Sequence, residues 1–124
     1  MWCGAMKNTT EHLVAQIIVE PRTSSEVRVQ ACRLLIAYLS LNQAAAETKL
    51  GRGPTVGDES WLAMLEEVER ALEGATAAWR EFHRNADSSD DLLARDGALR
   101  DALEQGRTQI ESAHQRILVA RGAG

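Results

Sequence analysis

Residues 61–82, WLAMLEEVERALEGATAAWREF, set Trp61, Leu65, Val68, Leu72, Ala75, Trp79 and Phe82 at alternating steps of four and three. That spacing is a stripe along one side of an α-helix, and in its strict heptad form it is the seam along which two helices pack. A second stripe of the same period follows at Leu92, Asp96, Leu99, Leu103, Gly106, Ile110, Ala113 and Ile117. Folding the chain about residues 87–89 lays the stripes together with large facing small at most rungs: Trp61 against Ala113, Val68 against Gly106, Ala75 against Leu99. Such alternation fills space at the density of a protein interior. The pattern therefore predicts an antiparallel coiled-coil hairpin with helices over about 58–86 and 89–121, roughly 40 Å long at 1.5 Å per residue.

Two rungs are imperfect. Asp96 falls opposite Trp79, where it would accept the indole hydrogen, pair with Arg100, or sit in water at a splayed hairpin tip, the last being the favoured expectation. Gly97 and Gly106 each cost about 1 kcal/mol in a helix interior relative to alanine, so both are expected at close approaches: Gly97 to Trp79, Gly106 to another helix or subunit.

Two further helices precede the hairpin. Asn8 followed by Glu11 reads as a capping box opening a helix over about 9–20 that carries Leu13, Val14, Ile17 and Ile18 and stops at Pro21. Thr23 with Glu26 reads as a second box opening a helix over about 24–50, closed by Lys49 and Gly51. The turn between them is short enough to make them antiparallel neighbours. The second helix has a seam at Val27, Ala31, Leu34, Tyr38, Leu41, Ala45 and Thr48, and beside it a further apolar stripe of Leu35, Ile36 and Leu39. An apolar arc that wide is expected to be covered on two sides, by the hairpin and by the first helix or another subunit. Residues 1–8 read as a frayed end, with Met6 an alternative start, and Gly51–Gly57 as a flexible connector. The whole chain, 1–124, is thus read as a single all-α domain.

Composition supports that class. Apolar residues make up 44% and charged residues 26% of the chain, with aromatics at only 4%, and β-branched runs are missing. No apolar run approaches the roughly 20 residues that span a bilayer, and the N-terminus lacks a secretory pattern, so a cytoplasmic protein with Cys3 and Cys32 reduced is expected. Net charge is −4, unevenly placed. Residues 1–57 hold six basic and four acidic side chains; the remainder holds eight and fourteen. Any nucleic acid would therefore have to meet the first half of the chain.

Motifs for chemistry are sparse. Glu111 and His114 match the Glu-x-x-His step of di-iron bundles, but the second copy and the extra inward glutamates are missing. The glycines of 51–57 lack the Gly-Lys-Ser/Thr ending of a phosphate loop. No nucleophile, base and orienting group stand at motif spacing, so no catalytic residue, metal site or cofactor is expected.

One stretch carries a resemblance. Val27-Arg28-Val29-Gln30-Ala31-Cys32-Arg33-Leu34-Leu35, preceded by an apolar helix and Pro21, resembles the second half of a HEAT-type hairpin, in which Val-Arg-x-x-Ala recurs at the start of the inner helix. Similar hairpins are also seen in phage small terminase subunits, which are helical, oligomeric adaptors in DNA packaging. The resemblance covers residues 12–41, a single hairpin, and implies an assembly or adaptor role. With the heptad seams it points to a non-enzymatic interaction protein, a homo-oligomer, adaptor or inhibitor, whose contact residues are Leu13, Ile17, Leu35, Ile36 and Leu39. The competing reading is a small nucleic-acid-binding regulator acting through Arg22, Arg28, Arg33, Lys49 and Arg52, although Arg28 and Arg33 do not share a helix face.

Overall fold

The computed structural model describes the backbone of residues 2–49, 58–84 and 89–123, and the side chains of residues 9–47, 63–84 and 92–119. Four helices make up the described chain: α1 (Trp2–Val19), α2 (Ser25–Lys49), α3 (Asp58–Arg84) and α4 (Ser89–Ala123). The protein is an all-α bundle. Every predicted helix end but one lies within two residues of its observed position; the exception is the start of α1, which is at Trp2, well before Asn8. Asn8 is therefore inside a helix rather than capping one, and the frayed end expected over 1–8 is helical from residue 2. The connector expected at 51–57, the hairpin tip at 87–88, and the side chains of Trp61 and Thr48 lie outside the described residues.

The four helices pack as a ring. α4 lies between α2 and α3, and α1 bridges the far sides of α2 and α3; α2 and α3 do not approach each other closely, nor do α1 and α4. Side-chain contacts give the directions. Ser24 meets Asp96, Glu26 meets Arg100 and Leu34 lies over Gly106, so α2 and α4 run parallel. Glu81 meets Arg95 and Ala71 lies over Gly106, so α3 and α4 run antiparallel. Gln16 meets Trp79 and Glu20 meets His83, so α1 and α3 run parallel. Of the two hairpin arms, helix α2 thus packs along α4 only, with α1 on its other side.

The core is the sum of the stripes. Leu65, Val68, Leu72, Ala75, Trp79 and Phe82 of α3 are buried, as are Leu99, Leu103, Ile110, Ala113 and Ile117 of α4 and Val27, Ala31, Leu34, Tyr38, Leu41 and Ala45 of α2. Leu13, Val14 and Ile17 of α1 complete the same cluster. Burying one such side chain is worth about 1.5–3 kcal/mol, so these stripes supply most of what opposes chain entropy.

Gly106 sits where three helices converge. A Cβ built there would lie 3.2 Å from Leu34 Cδ1 and 3.7 Å from the Ala71 carbonyl oxygen, so glycine lets α2 and α3 both close on α4. Gly97 is different: nothing comes within 4 Å of a Cβ at that position. The expected close approach of Trp79 to Gly97 is not made, because the Trp79 indole turns toward α1 and donates to Gln16 Oε1 at 3.0 Å.

Candidate functional site

The α1–α2 turn is built from side chains that satisfy helix ends. Thr23, predicted as the cap of α2, instead places its hydroxyl 3.0 Å from the Ile17 carbonyl and 2.8 Å from the Glu20 carbonyl, closing the C-terminus of α1. The cap of α2 is Ser24, whose hydroxyl accepts the Val27 N–H at 3.2 Å. Ser24 in turn donates its own N–H to Asp96 Oδ1 at 3.1 Å and its hydroxyl to Asp96 Oδ2 at 2.9 Å. Asp96 therefore neither accepts the Trp79 indole nor stands in water at a splayed tip. Its carboxylate lies at the positive end of the α2 dipole and ties α4 to the start of α2. Arg100, the other partner considered for it, reaches Glu26 Oε2 at 2.9 Å and Asp101 at 3.6 Å.

The basic residues of the N-terminal half fall into three situations. Arg28 is part of the turn: Nε donates to Thr23 Oγ1 at 3.1 Å and Nη2 to the Glu20 carbonyl at 2.9 Å. Arg22 donates from Nε to Glu20 Oε1 at 2.6 Å. That hydrogen bond, with the charges of Arg22 and His83, holds the Glu20 carboxyl below its ordinary range against the opposing effect of burial. Arg33 is exposed on α2, whereas the side chain of Lys49 and all of Arg52 lie outside the described residues. Arg22 and Arg28, expected to face phosphate in the nucleic-acid reading, are thus bonded to the turn instead. No described group of three or more His, Cys, Asp or Glu side chains converges as a metal site. None of the described helices is long and apolar enough to cross a membrane.

The five residues predicted as a partner surface divide cleanly. Leu13 and Ile17 are buried in the chain's own core, and Leu35 packs partly against it. Ile36 and Leu39 point outward, 65% and 39% exposed. They belong to an outer stripe that the grouping Leu35, Ile36 and Leu39 does not contain: Val29, Cys32, Ile36 and Leu39 stand at steps of three, four and three, and all four are exposed. Helical position places this stripe roughly opposite the Val27–Ala45 seam. The signal was present in the spacing, but the continuous apolar run Leu34–Leu35–Ile36 masks which of the three faces inward. Only the position of α4 settles it, because the side bearing Leu34 is the one Gly106 admits.

No family model matches the chain, and no curated protein or solved structure is similar to it.

Proposed function

We propose that this protein is a non-enzymatic helical interaction protein, an oligomeric adaptor or inhibitor, that makes its contact through the outer face of α2. The observation that carries the reading is the exposed stripe Val29, Cys32, Ile36 and Leu39 on a helix whose inner face is already fully covered. The spacing is that of the anchors by which an amphipathic helix docks on another helix. A contiguous apolar stripe on a helix marks an interaction surface more often than scattered exposed residues do. The hairpin of residues 12–41, with its HEAT-like Val-Arg-x-x-Ala start, supports an assembly role of the kind small terminase subunits have. In the same reading α3 and α4 wind as a coiled coil, since their buried stripes keep a period of three and a half residues.

Sedimentation equilibrium of the wild-type chain and of the Ile36→Glu/Leu39→Glu variant tests this. Wild-type protein above the monomer mass, reduced to monomer in a variant of unchanged thermal stability, is the expected result. A strict monomer at every concentration, with no component of native lysate retained by wild type and released by the variant, would sink the reading.

A further inference from the structure

A groove of about 570 Å³ runs between the parallel helices α1 and α3, within the size range of small-molecule sites. Its floor is Leu13 and Trp79. Its walls carry His12 from α1 and Arg80, His83 and Arg84 from α3, and none of the side chains lining it is a carboxylate. The lining is thus basic in a chain of net charge −4, with Glu20 and Glu81 standing behind it at 4.0 Å from His83 and Arg84.

The floor is preset. Trp79 is stacked on Phe82, with ring centroids 5.7 Å apart and planes 17° from parallel, and His83 lies over it at 5.6 Å and 30°. The one polar atom of the indole is used by Gln16, whose amide nitrogen also stands 3.1 Å from His12 Nε2. What Trp79 offers the groove is therefore apolar ring surface, held in place by Phe82 and His83. The basic side chains differ in how they are engaged. Arg84 has Glu81 at 4.0 Å and His83 has Glu20 at 4.0 Å, and both residues sit in the last turn of α3, where positive charge complements the helix dipole. Arg80 is one turn earlier and exposed, and no hydrogen bond or ion pair engages it among the described residues. Its guanidinium therefore lines the same groove as His12 and is available to a ligand.

We infer that this groove binds a small organic anion with a flat apolar body, the body against Trp79 and Leu13 and the acid group held by Arg80, with His12 on the facing wall. Guanidinium is suited to the acid because its planar fork bonds carboxylate, sulfonate or phosphate oxygens in pairs. An aromatic floor with cations only at the rim selects against a bare inorganic anion and against a neutral aromatic alike. The inference is independent of the outer face of α2.

Anilinonaphthalene sulfonate and its neutral counterpart phenylnaphthylamine are suitable probes, titrated by calorimetry into the full chain. Carrying Trp2→Phe and Trp61→Phe leaves Trp79 as the single tryptophan reporter. The expected result is one saturable site for the sulfonate, quenching of Trp79, and at least about tenfold weaker binding of the neutral probe, the size of one charge-assisted contact. Arg80→Glu and Arg80→Gln should each weaken the sulfonate by at least about that factor without changing the urea midpoint. Arg70→Glu, the same change of charge as Arg80→Glu on α3 but outside this groove, should leave binding unaltered. Equal affinity for the two probes, equal losses from Arg80→Glu and Arg70→Glu, or no sulfonate binding at all would overturn the inference.

Discussion

Asp96 on α4 holds Ser24 at the start of α2 by both carboxylate oxygens, Oδ1 taking the backbone N–H and Oδ2 the hydroxyl. The two residues are 72 positions apart, so this contact fixes where the second half of the chain stands against the first. It also explains why an aspartate interrupts a stripe of leucines. Heptad logic alone would make Asp96→Leu stabilising, since it restores an apolar seam. The geometry reverses that expectation: the change strips two hydrogen bonds and an anion from the α2 N-terminus, a loss of about 1–3 kcal/mol. For a domain of this size that lowers Tm by several degrees, readable by thermal unfolding under circular dichroism. Asp96→Asn keeps the shape, loses the charge and should lose less.

What was legible in the sequence and what was not divide along one physical line. The stripes of α2, α3 and α4 could be read because period follows from backbone geometry, and a leucine at the right step has one economical place to go. Helix ends were harder. Asn8 with Glu11 and Thr23 with Glu26 both have the local form of a capping box, yet α1 continues through Asn8 and Thr23 turns back to close α1. A cap signature says that a side chain is able to satisfy an amide, not that the amide is free. Contacts that cross the bundle, Trp79 with Gln16 and Asp96 with Ser24, had no local signal at all. The proposed contact surface and the α1–α3 groove both depend on such cross-bundle placement.

Gly97 and Gly106, both in α4, separate a packing role from a simple helix penalty. Nothing would obstruct a methyl group at Gly97, so Gly97→Ala should gain about 0.5–1 kcal/mol from helix propensity and reduced unfolded-state freedom. At Gly106 the same methyl group meets Leu34 Cδ1 at 3.2 Å, and Leu34 is fully buried with little room to move. Gly106→Ala should therefore show no gain, and Gly106→Val should lose about 1–3 kcal/mol by prising α2 from α4. Urea denaturation of the three variants checks the order; equal gains at both alanines would mean that Gly106 is not a close-approach point.

Thr23 offers a direct test of the reassigned turn. Its hydroxyl is almost completely buried and stands within hydrogen-bond distance of two carbonyls of α1 and of Arg28 Nε. Thr23→Val keeps the shape and removes every one of these bonds, at an expected cost of about 1–3 kcal/mol for buried partners left unpaired. Ser24→Ala should cost about 0.5–2 kcal/mol through the lost cap. If Thr23 were itself the cap, Ser24→Ala would be nearly silent. Combining Ser24→Ala with Asp96→Ala should cost less than the sum of the single changes, because both remove the same contact.

Acid should find the same turn through Glu20. Its carboxyl is held below the ordinary range, chiefly by the Arg22 hydrogen bond, with the charges of Arg22 and His83 adding to it. A carboxylate with a lowered folded-state pKa binds fewer protons in the native than in the unfolded state across the window between its two pKa values. Stability therefore rises with pH through that window. The contribution is complete above the unfolded carboxyl value and is lost as pH falls through the folded one. Glu20→Gln should be less stable than wild type at neutral pH, and the gap should close on the acid side as the wild-type carboxylate is protonated. Arg22→Ala should narrow the same gap by removing the largest cause of the lowering. Urea midpoints of the three proteins from neutral to acid pH give the answer: a gap that stays constant with pH would show that Glu20 acts through its shape, whereas one confined to the carboxylate range shows that its charge joins α1 to the turn.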